Sequence, residues 1–239
     1  MGLTDVVRFE SPEALARSTA GRLLEFLSGK SASSLCLSGG RITVALFHEL
    51  LAQCLTHPPG AIELVGNTHF FWADERCVPA GDTESNFGIA ERKLFEPLNI
   101  DPEKIHQIPG EADPVFAAQM AEAELCRIAP INSDGIPIID LLLLGMGEDG
   151  HVASLFPGQR VENQWAGAIY YPVTGPKPPP NRITLSFPTI QAAKEVWVLV
   201  SGNGKEESFR QAIASNPEIP LGKVIRDRDR TLIFTDLAV

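Results

Sequence analysis

The chain has 239 residues, 44% hydrophobic and 21% charged, an ordinary globular composition with enough length for one large core, so a single domain over 1–239 is expected. A formal net charge of −10 argues against nucleic acid as a bulk partner, although a local basic pocket on an acidic protein can still take a small anion. No run approaches the roughly 20 apolar residues that span a membrane, and Met1–Glu10 has no apolar core behind a basic flank, so neither an anchor nor a secretory leader is expected.

Ser11-Pro12-Glu13 reads as a helix start: Ser caps, Pro occupies the first turn and Glu faces the helix dipole. That helix is predicted to run to about Leu27 and stop near Gly29. Leu35-Cys36-Leu37 is a short buried strand ending at Ser38-Gly39-Gly40, followed by a helix from about Thr43 to Leu55. His69 to Ala73 reads as a strand and Asp74 to Asn86 as a polar loop. Asp113 to Ala129, rich in Ala and Glu, reads as a long helix. Ile138 to Leu144 is nearly all apolar, as a strand covered on both faces should be. Gly145 to Gly158 is a loop, Pro172 to Pro180 a stiff loop, and Arg182 to Phe187 a strand. Glu195 to Val200 is a further strand, ending at Ser201-Gly202-Asn203-Gly204; Lys205 to Ser215 is a helix and Thr231 to Thr235 a last strand. Strands alternating with helices imply an α/β fold: a doubly wound, mainly parallel, Rossmann-like sheet with helices on both faces. Ligands of such sheets bind beyond the carboxyl ends of strands, which here are the loops after Leu37, Ala73, Leu144 and Val200.

Each of those loops carries groups suited to chemistry. Ser38-Gly39-Gly40-Arg41-Ile42-Thr43 joins a strand to a helix, where glycines let the backbone approach an anion; it reads equally as a tight turn. It is not a Walker A loop, because the GK[ST] ending is missing. Asp74-Glu75-Arg76 would ordinarily be a solvated charge cluster, but it sits at a sheet end. Gly145-Met146-Gly147-Glu148-Asp149-Gly150-His151 contains GxGxxG. A dinucleotide site is argued against by its position past mid-chain, by Pro157-Gly158 close behind, and by His151 where helix packing needs a small residue. The glycine bends instead present Asp149 and His151 two residues apart, a candidate general base with its orienting partner. His48, His57, His69 and His106 lack such a setting and receive no role. Lys205 opens a helix, a poor place for a cation unless a phosphate sits there, and Arg182 could add a second cation; each alone is more often a surface charge. There is no GxSxG elbow and no HExxH, so Ser38 and Ser154 have no nucleophile role and hydrolysis would use activated water. Cys36, Cys54, Cys77 and Cys126 form no CxxC pair and are expected to be reduced thiols of a cytoplasmic protein, not zinc ligands.

Leu144 to Gly158, reading LGMGEDGHVASLFPG, strongly resembles the signature of the 6-phosphogluconolactonases, in the glucosamine/galactosamine-6-phosphate isomerase superfamily. Trp72-Ala73-Asp74-Glu75-Arg76-Cys77-Val78-Pro79 with Ser85-Asn86-Phe87 is similar to that family's second block, and the Ser-Gly-Gly loop, Arg182-Ile183-Thr184-Leu185 and the turn before Lys205 follow in order. Arg41 departs from the family, which commonly has Ser there. The resemblance implies hydrolysis of 6-phospho-D-glucono-1,5-lactone in the oxidative pentose phosphate pathway, on the fold of the glucosamine-6-phosphate deaminases. It implies His151 as base, Asp149 orienting it, Arg76 for the oxyanion and Asp74 on sugar hydroxyls or on Arg76. The phosphate would fall to Ser38, Gly39, Gly40, Arg41, Thr43, Arg182 and Lys205, with no metal or organic cofactor. Partners are then the sugar-phosphate lactone alone, with the chain a monomer or weak homo-oligomer. The deaminases' corresponding blocks resemble Asp-Glu-Tyr and Asp-Gly-His-Ile-Ala-Phe-Asn-Glu-Pro-Gly; Arg76 replaces the Tyr and Phe156 the Glu, which argues against deamination. The fold also resembles sugar-phosphate-sensing regulators, but the first helix begins near Ser11 and leaves no room for a preceding DNA-binding segment.

Overall fold

The computed structural model describes residues 3–30, 33–56 and 60–238. The chain begins with β1 (Leu3–Arg8), α1 (Pro12–Leu27), β2 (Ser33–Leu37), α2 (Arg41–Thr56), α3 (Ala61–Gly66), β3 (Thr68–Trp72) and β4 (Asp74–Arg76). A helical stretch follows as α4 (Asn86–Ala90), a π turn over Glu91–Phe95 and α5 (Glu96–Leu98); then come α6 (Pro114–Ile128) and β5 (Leu141–Gly145). The last part is β6 (Tyr170–Thr174), β7 (Asn181–Leu185), α7 (Phe187–Ala192), β8 (Glu195–Val200), α8 (Glu206–Ile213), α9 (Pro220–Arg226) and β9 (Arg230–Thr235).

Local chemistry sets the helix starts. Ser11 Oγ accepts from the Ala14 amide at 3.2 Å with Pro12 in the first turn, and α1 buries Leu15, Ala16, Thr19, Ala20, Leu23 and Leu27 at helical spacing. Asp113 likewise accepts from the amides of Val115 and Phe116 before Pro114 opens α6.

Six strands form a parallel sheet in the order β1-β9-β8-β5-β2-β3. Every residue of β2 is buried, as are Leu141–Leu144 of β5, which is why these strands read as unbroken apolar runs. From β2 the chain steps outward to β3, whereas from β5 it steps the other way to β8 and β9. Right-handed crossovers in opposite directions put helices on both faces and leave a crevice between the ends of β2 and β5. The doubly wound fold expected from sequence is therefore present.

A second, antiparallel sheet, β4-β7-β6, was not expected. Asp74–Arg76 is a strand where a polar loop was predicted, because Asp74 and Glu75 are buried against partners, which a charged triplet conceals. Pro172 lies inside β6 and not in a loop, on the sheet edge where a missing N–H costs no ladder bond. Ala73 joins the two sheets: its N–H donates to the Leu37 carbonyl at 2.7 Å and its carbonyl accepts from the Leu185 amide at 2.8 Å.

Candidate active site

All four strand-end loops open into one cleft of about 730 Å³. Its lining draws Ser38, Gly39, Gly40 and Arg41 from the end of β2, Asp74 and Arg76 from β4, Gly147, Glu148 and His151 from the loop after β5, and Lys205 from the turn after β8. Gly39 is a glycine because the Asn86 side chain packs against it, whereas a side chain at Gly145 would make only ordinary contact with the end of β2. A Cβ on Gly39 would lie 1.9 Å from Asn86 Oδ1, and one on Gly145 would lie 3.5 Å from the Gly39 carbonyl oxygen.

The His151 loop is a tight turn. The Gly147 amide donates to the His151 carbonyl at 2.9 Å, and the Gly150 amide to the Gly147 carbonyl at 3.0 Å. Gly150 has φ +82°, and a Cβ there would also meet Ile219 Cγ2 at 2.5 Å. The turn sets His151 Nδ1 against Asp149 Oδ1 at 2.5 Å, and the same oxygen accepts the His151 amide at 3.2 Å. Burial pushes the Asp149 carboxyl up, but the His151 contacts outweigh it and hold the group below its ordinary value. An ionised carboxylate only accepts, so it takes Nδ1–H and leaves the imidazole lone pair on Nε2. The Phe156 ring packs on the imidazole with centroids 4.8 Å apart.

On β4, alternation sends Asp74 and Arg76 to one side and Glu75 to the other. Glu75 is 1% exposed and accepts from the amides of Arg76, Asn86 and Phe87 and from Ser85 Oγ. Burial, only partly offset by those amides, raises its carboxyl to about 6. This carboxylate clamps 85–87 beneath the cleft and is structural. Arg76 donates to the Glu84 carbonyl at 2.6 Å, while its buried Nε has no partner among the described residues. Across the ladder Arg76 stands opposite Arg182. Arg182 is 7% exposed, its side chain donates among the described residues to the carbonyls of Pro179 and Lys177, and it lies 5.6 Å from the Phe156 ring centroid. Burial and then the Arg76 charge lower its pKa.

At the β2 and β8 ends, burial and then Arg41 push the Lys205 ammonium down. Among the described residues no carboxylate comes within ion-pair distance of Arg41, Arg182 or Lys205. Cations without a carboxylate partner make this cleft locally positive on an otherwise acidic protein.

The structure thus gathers Ser38, Gly39, Gly40, Arg41, Asp74, Arg76, His151, Arg182 and Lys205 around one space, with Asp149 behind His151. Thr43 is apart from them: it is 3% exposed, its hydroxyl donates to the Gly39 carbonyl at 3.2 Å, and it does not line the cleft. The anticipated phosphate cations also have different neighbours, Arg182 beside Arg76 and Lys205 beside Arg41. Sequence reasoning missed Glu148 and Lys177, which pair at 3.5 Å and both line the cleft. It missed Ser154 too, which donates to Asp74 Oδ2 at 2.6 Å. His57 lies outside the described residues. His69 and His106, given no role, form a chain away from the cleft: Lys104 Nζ to His69 Nε2 at 3.2 Å, His69 Nδ1 to His106 Nε2 at 2.8 Å, and His106 Nδ1 to Glu124 at 2.7 Å.

Fold and cleft together define a class: doubly wound α/β proteins with a cation-lined cleft at the sheet's switch point, beside an imidazole–carboxylate pair. Within that class the chain belongs to the family described as Glucosamine-6-phosphate isomerases/6-phosphogluconolactonase, which it matches over residues 9–234. A 6-phosphogluconolactonase of Streptomyces coelicolor is 34% identical over 237 residues, covering 95% of this chain and 89% of that one. The crystal structure of devB protein superposes with a TM-score of 0.86 at 32% identity, over 98% of this chain and 96% of that one. A monomeric glucosamine-6-phosphate deaminase, 20% identical, shares the fold with a TM-score of 0.80 over 97% of each chain.

Proposed function

We propose that this chain, acting as one domain, hydrolyses 6-phospho-D-glucono-1,5-lactone to 6-phospho-D-gluconate with water activated by His151. The observation that carries this reading is the His151–Asp149 pair at 2.5 Å opening onto a cleft where Arg41, Arg182 and Lys205 have no ion-pair partner among the described residues. Water attacks the lactone carbonyl carbon while His151 Nε2 takes its proton, and Asp149 steadies the resulting imidazolium. General-base help of this kind contributes about 10²–10⁴-fold. The negative charge that develops on the carbonyl oxygen falls to the Arg76 guanidinium, which lines the cleft. Collapse of the tetrahedral adduct breaks the bond to the ring oxygen, and the proton held on His151 is available to that oxygen. The phosphate lies on the Gly39–Gly40 backbone among Arg41, Lys205 and Arg182, with Thr43 contributing through the helix start instead of its hydroxyl. No step requires a metal or an organic cofactor.

A rate assay with freshly made 6-phosphoglucono-δ-lactone, corrected for spontaneous opening, tests the reading; a rate no higher than the uncatalysed one sinks it. Deamination of glucosamine 6-phosphate is the competing reading, and the shared fold is its support. Against it stands the Phe156 ring packed on His151, a group that can move no proton, where the deaminase motif carries a carboxylate.

A further inference from the structure

Two residues beyond His151, Ala153 adopts a left-handed backbone with φ 49° inside a tight turn closed by the Leu155 amide on the Val152 carbonyl at 3.0 Å. A non-glycine residue is held there only when its surroundings over-determine it. The turn aims Ser154, 0% exposed, at the rung of the second sheet where Asp74 faces Thr184. Ser154 Oγ donates to Asp74 Oδ2 at 2.6 Å, and the Ser154 amide donates to Thr184 Oγ1 at 3.2 Å. Thr184 is itself fixed, its hydroxyl donating to the Leu185 carbonyl at 3.1 Å. Asp74 is 5% exposed and lines the cleft, and among the described residues no group donates to its Oδ1.

We propose that Ser154 is a positioning residue: it pins one oxygen of Asp74 so that the other, Oδ1, is offered to the cleft as a fixed acceptor for a ring hydroxyl of the substrate. This rests on the sugar-phosphate lactone reading of the cleft. A buried carboxylate free to rotate would present either oxygen at a variable angle, whereas a carboxylate held by a buried hydroxyl presents one. The same hydrogen bond ties the His151 turn to the strand that carries Arg76, so the hydroxyl acceptor and the base keep a constant separation.

The test is a double-mutant cycle of Ser154→Ala and Asp74→Ala, read as kcat and KM separately on the lactone. A pinned acceptor acts alike on ground and transition states. Ser154→Ala should therefore lower kcat/KM about tenfold, the scale of one charge-assisted hydrogen bond, chiefly through KM and with kcat within about threefold. In the Asp74→Ala background the same change should cost less than about twofold. Ser154→Cys, similar in shape and a weaker donor, should fall between, and it carries the cycle if the alanine variant does not fold. Parent-like kinetics in Ser154→Ala would overturn the proposal. So would an undiminished loss in the Asp74→Ala background, or a loss confined to kcat with a lowered thermal midpoint, which marks a strut for the turn. Absence of lactone opening by the unaltered protein would refute the function assigned to the cleft, and this role with it.

Discussion

Gly147→Ala is the sharpest single perturbation of the base. A Cβ there would lie 2.1 Å from both Cε1 and Nδ1 of His151 and 2.9 Å from Asp149 Oδ1. Contacts near 2 Å are impossible, so something must move. The Gly147 backbone is not in the left-handed region, so alanine introduces no backbone strain. The part that moves is the imidazole, because the His151 side chain is 28% exposed and free to swing out. The pairing with Asp149 is lost, and with it the tautomer and direction of Nε2. The expected result is a kcat about a hundredfold or more below the parent, within about tenfold of His151→Ala, because an unaligned base contributes little of its ~10²–10⁴-fold. KM should stay within a few-fold, since no phosphate contact changes. The thermal midpoint should shift by less than about 2 °C, since the clash is relieved by a surface rotation and alanine restricts the unfolded chain. The assay is steady-state lactone hydrolysis alongside a thermal melt. A variant with kcat within about threefold of the parent and an intact fold would refute the role of the His151–Asp149 geometry.

Lys205→Ala and Arg182→Ala should each raise KM, each lost charge-assisted contact costing about 1.5–3 kcal/mol, while hydrolysis of unphosphorylated gluconolactone stays nearly unchanged; equal losses on both lactones would move the phosphate site elsewhere. His69 and His106 are held below the ordinary 6.5, chiefly by burial, with Lys104 adding to the depression at His69. The unfolded chain therefore takes these protons first, so their contribution to stability is present above about pH 6.5 and is lost as pH falls through the folded values. Glu75, raised to about 6, works the other way: its contribution is present below the unfolded value near 4.5 and is lost as pH rises through about 6. NMR titration should place both imidazoles below 6.5, and replacing them together by Gln should flatten the fall in thermal midpoint between about pH 7 and pH 5; an unchanged slope would contradict the depression. The unaltered protein should release no ammonia from glucosamine 6-phosphate, and Phe156→Glu alone should not create that activity, because Arg76 would remain; ammonia at a rate comparable to lactone opening would favour deamination.

Much of the parallel sheet and the cleft was legible because their signals are local. A strand buried on both faces must be apolar throughout, as Leu35–Leu37, Leu141–Leu144 and Val196–Val200 are, so each announces itself without reference to its partners. The loops after those strands needed glycine for close approach, and the charges beside the glycines then marked the cleft. Gly39 against Asn86 and Gly147 against His151 show that these glycines are demanded by contact.

What stayed hidden depends on partners distant in the chain. Asp74-Glu75-Arg76 reads as solvated because charge is usually exposed, and its burial follows only from donors at Ser85–Phe87 and Ser154. Ser154 is the clearest case. As a letter in the His151 signature it offers only a hydroxyl. Its role comes from an Asp 80 residues earlier and from a Thr 30 residues later that stands opposite that Asp across a strand pair. Periodicity cannot report that pair, since a three-residue strand such as β4 is too short to show alternation. The cations follow the same logic. Arg182 reads in sequence more often as a surface charge, and it is brought to the cleft only because β4 and β7 set it opposite Arg76. Loops bring His151 and Lys205 to the cleft, and the small antiparallel sheet brings Asp74, Arg76 and Arg182 to face them.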